Sequence, residues 1–327
     1  MKTILLLTGP AGDAQGWGDL GVTKSMCRAI KDSGHDSCIA FVSTMEEFFA
    51  AMQAGGFDMV WSALYHISDK NDIIGTGTGQ WLADYFDAHA IPYIGPDSAT
   101  MKRLIDKTAT HDTLAAQGIR VPFHIEIAPG QALPDIRFPA FVKPSCESRS
   151  VGISDDSVVH TPEALARQVA FIHNNFDQPA LVEEYLPGDE YTVLMLGNGR
   201  LQKFLPGRVA VDPQLFGKYP ILRSDLRGVG VTRIKRAGKM ADQAVALCKR
   251  AVEALHCLDH VRVDMRMDAQ GDLKIIEANG IPGLKPVKSW SPQLFTLYHA
   301  TGKGADRDYQ ELIHCIVSSA LERYGLV

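Results

Sequence analysis

The sequence predicts an α/β protein: a parallel α/β layer over about the first 95 residues, then helices mixed with antiparallel strands. Three observations carry this. Short apolar runs alternate with helical periodicity as far as Ile94, the pattern of strands joined by crossover helices. From Pro96 the pattern changes to strands that follow one another through turns. And the stretch Asp259 to Gly283, DHVRVDMRMDAQGDLKIIEANGIPG, reads as a single β-hairpin.

At 327 residues the chain is long for one core, so two or three units are expected. A content of 46% hydrophobic and 22% charged residues is that of an ordinary globular protein. The net charge of −5 argues against a nucleic-acid partner. Cys27, Cys38, Cys146, Cys248, Cys257 and Cys315 form no C-x-x-C pair and read as reduced thiols of a cytoplasmic protein. MKTILLLTG is too short for a signal peptide or a membrane span, and no later run is long enough.

In order, Thr3 to Leu7 is a buried strand followed by the glycine-rich loop Gly9 to Gly21. A helix (Leu20 to Ser33), a strand (Cys38 to Val42), a helix (Met45 to Gln53) and a third strand (Phe57 to Trp61) follow. Gln80 to His89 is a helix and Ile91 to Ile94 a short strand. The first loop contains a G-x-G-x-x-G, but it comes too late after the strand for a dinucleotide fingerprint, and no acid closes the second strand. It is better read as a substrate-facing loop at a helix N-terminus. GTGTGQW (75–81) is a second glycine loop. His66, just after the third strand, either points into the same cleft or is a satisfied structural histidine.

Ser98 to Gln117 is helical and carries Asp106 and Lys107; Val121 starts a strand, and Phe138 to Lys143 is another. Thr161-Pro162-Glu163 is a helix start, with a capping threonine and proline in the first turn. Strands are expected over Ala180 to Tyr185, beyond the Pro187-Gly188 turn, and over Arg200 to Leu205 and Arg208 to Val211. Asp212 to Val229 is an irregular loop long enough for a lid. Ala237 to His256, Ser291 to His299 and Asp306 to Tyr324 are helices.

The chemistry concentrates in the second half. A two-residue loop at Gln270-Gly271 sets Asp264 opposite Glu277 and Arg262 opposite Asn279, with Val261, Val263, Met265, Ile276 and Ala278 on the other face. Opposed Cβ atoms lie about 5 Å apart, where like charges repel, so a cation should sit between the two carboxylates. Two carboxylates and an amide suit Mg²⁺; the alternative is a solvated face paired with lysines. Lys143 ends an apolar strand beside the Ser/Gly-rich turn 145–154, a way to grip phosphate with one point charge and backbone N–H groups. Glu183-Glu184-Tyr185-Leu186 looks like an adenine hinge, and Glu190 could accept from ribose hydroxyls.

Together Lys107, KPSCESRSVGIS, EEYLPGDEYTV, KYP, RVDMRMD and EANGIPG occur in the order and spacing of ATP-grasp enzymes. Residues 90 to 300 most resemble D-alanine–D-alanine ligases. The resemblance implies an N-terminal α/β substrate unit (1–95) and two ATP-grasp subdomains (96–186 and 187–327) that sandwich ATP. It implies that Lys107 and Lys143 bind phosphates, and that Glu147 and Ser150 belong to a small loop near the γ-phosphate. Glu183 with the Glu184, Tyr185 and Leu186 backbone would hold adenine, and Glu190 the ribose. Lys218 and Tyr219 would come from a large closing loop. Asp264, Glu277 and Asn279 would hold two Mg²⁺, with Mn²⁺ as a substitute. Arg262 and the Gly283 backbone would stabilise an oxyanion, and Ser289, beside Lys288, would grip the acceptor's carboxylate.

The implied activity is ATP-dependent joining of a small carboxylate to an amino acid or amine, with no nucleic-acid or membrane partner and a homodimer allowed. The sequence departs from the family at the first substrate. The family's G-G-x-S-x-E-x-x-V-S acid is missing, with Asp13 or Asp19 as substitutes. The small-loop E-G-S-S becomes Glu147-Ser148-Arg149-Ser150, and a second lysine is replaced by His111. Arg149 then needs an anion: the γ-phosphate or, preferably, an extra carboxylate on the substrate. A true D-alanine–D-alanine ligase, an ATP-grasp kinase and a non-catalytic ATP-binding protein are the alternatives.

Overall fold

The computed structural model describes residues 1–70, 73–76, 79–226 and 231–327. Two positions of the second glycine loop (77 and 78) and the end of the expected lid (227–229) lie outside the described residues. The elements run β1 (Thr3–Thr8), α1 (Gly12–Gln15), α2 (Leu20–Asp32), β2 (Asp36–Phe41), α3 (Met45–Ala54), β3 (Met59–Ser62) and α4 (Leu82–Ala88). Next come α5 (Ser98–Ile105), α6 (Lys107–Ala116), β4 (His124–Ile127), β5 (Ala140–Pro144), β6 (Val158–Val159), α7 (Pro162–Phe176) and β7 (Ala180–Glu184). The chain closes with β8 (Glu190–Leu196), β9 (Lys203–Ala210), β10 (Arg233–Arg236), α8 (Ala241–Ala254), β11 (His260–Met267), β12 (Leu273–Asn279), α9 (Trp290–His299) and α10 (Ala305–Arg323).

Three sheets result. A parallel sheet has the order β2-β1-β3; two antiparallel sheets have the orders β4-β7-β5-β6 and β10-β9-β8-β11-β12. The α/β expectation holds, with differences in detail. Residues 91–94 make only an isolated bridge, Val60 with Tyr93. The helix expected over Ser98 to Gln117 breaks at Asp106, whose extended backbone lets its side chain accept from Ala109 N–H and cap α6. Lys107 is thereby fixed as the first residue of α6. The two strands expected around Pro206-Gly207 are one, β9. Pro206 costs no ladder bond there, because β10 pairs only from Gly207 onward.

The hairpin β11–β12 reaches the expected pairing by a different route. Its loop has three residues, not two: Asp268 N–H donates to the Asp272 carbonyl at 2.9 Å beyond the Met267–Leu273 pair, and Gly271 takes the left-handed conformation (φ 88°) such loops need. That alone would put every pair one residue out. A bulge at Ile276 restores the register, so Asp264 faces Glu277 and Arg262 faces Asn279. Ile275 therefore takes the core position expected of Ile276, and Ile276 turns into the cavity beside Glu277.

Apolar packing does not respect the order of the chain. One core joins Ile4, Leu6, Met26 and Trp61 near the start to Leu194, Leu294, Ile313 and Ile316. A polar clasp reinforces it at Gly95. Asp259, fully buried at a left-handed φ of 59°, accepts from Gly95 N–H at 2.8 Å and from Arg323 Nη2 at 2.6 Å. Arg323 Nη2 also donates to the Tyr93 and Gly95 carbonyls at 2.8 and 3.1 Å. No helix among the described residues is long and apolar enough to cross a membrane.

Candidate active site

Two antiparallel sheets face each other across a cavity of about 90 Å³. Lys107, Lys143, Glu147, Ser150, Glu183, Glu184, Tyr185, Leu186 and Glu190 all line it, together with Asp264 and Glu277. A second cavity, about 300 Å³, lies beyond Leu222, which lines both. Asp19, Arg149, Arg262, Asn279, Gly283, Lys288 and Ser289 line this one. The residues implied for nucleotide and those implied for substrate thus separate into two neighbouring chambers. Lys218, Tyr219 and His66 line neither.

Each lysine of the first chamber already has a carboxylate. Lys143, at the end of β5, lies 2.9 Å from Glu183 and 3.3 Å from the Ile276 carbonyl. Lys107 lies 3.4 Å from Glu277 and donates to the Glu147 carbonyl. His111, one turn along α6, sits 3.4 Å from Glu183. Burial first, then the Lys143 charge, holds its imidazole well below the ordinary value, so Lys143 remains the cation paired with Glu183.

Each of the two opposed carboxylates, Asp264 and Glu277, meets a cation of the chain. Asp264 accepts from Arg262 Nε and Nη2 at 2.9 and 2.8 Å, from Thr192 Oγ1 at 2.6 Å and from Asn279 Nδ2 at 3.0 Å. Lys107 covers Glu277. Burial pulls the Arg262 guanidinium down, but Asp264 more than offsets this and raises it above its usual value. The Arg262 guanidinium also stacks 4.9 Å above the Trp290 ring. Two opposed carboxylates and a carboxamide, with cations resting on the acids, fit an oxygen-only divalent-cation site. No group of three His, Cys, Asp or Glu that could hold a metal occurs among the described residues, so any ion here needs the amide or a ligand's oxygens.

At the hinge, Arg266 donates to the Leu186 carbonyl at 2.7 Å, to the Pro220 carbonyl at 2.6 Å and toward Glu190 at 3.4 Å. It was not singled out from the sequence, although period two places it on the face of Arg262 and Asp264. The carboxylate of Glu147 is held by the chain. It accepts from Ile74 N–H, Gly75 N–H and Gln178 Nε2 at 3.0, 2.8 and 2.8 Å, tying the small loop to the second glycine loop.

The large loop is docked on the small one. Asp155 accepts from Lys218 N–H at 2.8 Å, and Ser224 N–H donates to the Ile153 carbonyl at 3.1 Å. The Lys218 ammonium rests 5.2 Å over the Tyr219 ring, and the Tyr219 hydroxyl meets His160 Nε2 at 2.8 Å. His66 is buried, T-shaped against Trp81 at 5.4 Å, and lines a separate cleft beside Ser43 and Thr44.

Arg149 has an anion that the sequence reading did not pair with it: Asp13, 2.6 Å from its Nη1. Asp19 caps α2 through Val22 N–H at 3.0 Å and faces Lys285 at 3.6 Å. The Val22 bond, against some burial, holds its carboxyl below the usual range. Ser289 stands at the N-cap position of α9 without a side-chain cap bond, its hydroxyl instead accepting from Lys285 N–H at 3.0 Å.

Known proteins are similar to this chain over most of its length. The family model described as D-ala D-ala ligase C-terminus matches residues 127–318, more than half of the chain. An uncharacterised protein of Sinorhizobium fredii is 26% identical over 95% of this chain and 90% of its own length. A D-alanine–D-alanine ligase of Gluconobacter oxydans is 29% identical over 88% of this chain and 90% of its own. The crystal structure of a D-alanine–D-alanine ligase from Bacillus anthracis complexed with ATP shares the fold, with a TM-score of 0.70 at 17% identity and 99% coverage of both chains. The two chambers, built from the motifs in the family's order, and the match across 127–318 place this chain in the D-alanine–D-alanine ligase family.

Proposed function

We propose that the protein is an ATP-dependent, ADP-forming ligase that joins a carboxylate, through an acyl phosphate, to the amine of an amino acid or similar acceptor. The observation that carries this is the junction of the two chambers, where Asp264 and Glu277 of the first meet Arg262 and Asn279 of the second. A nucleotide γ-phosphate and a substrate carboxylate can meet only there. The same reading divides the chain at 1–95, 96–186 and 187–327, with ATP between the last two units.

Adenine would lie against the hinge Glu183 to Leu186 and the ribose near Glu190, with Lys107 and Lys143 leaving their carboxylates to hold phosphates. A divalent ion at Asp264, Glu277 and Asn279 would neutralise phosphate charge; Mg²⁺ suits the oxygen donors, two ions are expected and Mn²⁺ is an alternative. The donor carboxylate oxygen attacks the γ-phosphorus, the bond to the β,γ-bridging oxygen breaks, and ADP leaves. The acceptor nitrogen then attacks the acyl carbon. Arg262 Nη1, not engaged by Asp264, and the Gly283 N–H would hold the oxyanion. The carbon–oxygen bond to phosphate breaks and the amine loses a proton as the amide forms. Ser289 and Lys288 line the end where an acceptor carboxylate would sit. The docked loops exclude water from the intermediate.

The test is phosphate release measured over pairs of acids and amines, with mass spectrometry of the products. Release that needs both partners and yields an amide is expected. ATP consumed without phosphate release, with the phosphoryl group found on a product as from a kinase, would overturn the reading.

A further inference from the structure

We infer that the donor acid carries no ammonium on its α-carbon, which sets this chain apart in substrate class from a ligase that activates an α-amino acid. The inference rests on the ligase reading above and concerns the wall of the larger chamber that faces Arg262, Asn279 and Gly283. That wall comes from residues 13–19, with Gln15 and Tyr65 behind it.

A donor ammonium placed here would need a carboxylate free to receive it, because an unpaired desolvated charge is costly. Gln15 is buried and neutral, and both acceptor positions of its amide oxygen are used. Its Oε1 accepts from Tyr65 and His66 N–H at 2.8 and 3.2 Å, and its Nε2 donates to the His66 carbonyl at 3.0 Å. The Tyr65 hydroxyl accepts from Ile281 N–H at 3.0 Å, and burial raises its pKa, so it stays neutral. Two acids of this wall do reach the chamber, Asp13 and Asp19, and both already face cations, Arg149 and Lys285. Asp264, behind Arg262, carries four hydrogen bonds.

The remaining charge on the chamber is positive. Lys288 has no carboxylate within ion-pair distance among the described residues. Such a chamber repels an ammonium near the acyl carbon and accepts a hydrogen, a hydroxyl or an alkyl group in its place. The donor class is therefore a plain or hydroxylated carboxylic acid.

Hydroxylamine in place of the natural acceptor tests this without knowing the acceptor. Its nitrogen displaces phosphate from any acyl phosphate and leaves a hydroxamate that iron(III) reveals. The wild-type enzyme with Mg-ATP is compared on matched acids: propionate and lactate against D- and L-alanine. We expect kcat/KM for hydroxamate to be at least about tenfold higher for the acids without the ammonium. Gln15→Glu keeps the acceptor oxygen that Tyr65 and His66 use and adds a charge, and Arg149→Ser uncovers Asp13; each should move the ratio toward alanine. Alanine used as well as lactate or propionate by the wild type would overturn the inference and leave the ligase reading standing. Hydroxamate from none of the acids, in protein shown to bind Mg-ATP, would overturn both.

Discussion

Asp264 holds a buried guanidinium, a hydroxyl and an amide on one carboxylate, so its removal does two things at once. Asp264→Asn should abolish turnover and also destabilise the fold by about 3–5 kcal/mol, the usual cost of leaving one half of a buried ion pair. Glu277→Gln should abolish turnover as well, yet cost little stability, because Glu277 is more exposed and its one ion pair among the described residues is with Lys107. Urea melts and phosphate release on both variants check this; equal destabilisation by the two would refute the asymmetry. Period two put Arg262 on the face of Asp264, but not that its guanidinium would close on that carboxylate with the Thr192 hydroxyl beside it. Residue types and spacing told which side chains would gather. They could not tell that Glu147 would spend its carboxylate on Ile74, Gly75 and Gln178, or that Asp13 would meet Arg149, since both are contacts between distant segments.

Between elements, the informative case is the large loop. Asp155, at the end of the small loop, accepts from Lys218 N–H and approaches Arg223 at 4.0 Å. Asp155→Ala should undock the loop: trypsin should cut at Lys218 and Arg223 several-fold faster than in the wild type, and an ATP analogue with magnesium should slow cutting in both. Unchanged cutting in the variant would remove Asp155 as the latch. The loop's length alone marked it as a lid, whereas its docking partner carried no sequence signal. The hairpin shows the other kind of limit. Alternation of apolar residues gave the facing of Asp264 and Glu277, but neither the third loop residue nor the bulge at Ile276 could be read, and the two shifts cancel. Helix caps were legible where a single residue type decides them, as at Thr161, which accepts from Ala164 N–H at 3.2 Å.

For the whole molecule, buried imidazoles set the acid limit. Burial depresses His260 to about 4, and His111 is held well below its usual value. In both cases the unfolded chain binds the proton more readily than the folded one. The stability they contribute is therefore fully present above about pH 6.5 and is lost as pH falls toward 4, on the order of 3 kcal/mol for His260 at about 1.4 kcal/mol per unit. Urea midpoints at pH 7.5, 6 and 5 should fall with pH, and His260→Leu should flatten that slope even if it lowers the midpoint at pH 7.5. The fold class was legible because local periodicity reports strands and helices; the shared core of α2 and α10 was not, because nothing in either helix names its partner. The clasp at Gly95 has a consequence for recombination. Arg323 and Asp259 grip Tyr93 and Gly95 only through their main-chain N–H and carbonyl groups, which every residue but proline offers in full. The grip itself therefore carries over to a foreign leading segment joined there, so long as the segment keeps glycine at 95, where φ is 113° and a Cβ would meet Met101, and keeps apolar residues to share the core with α10.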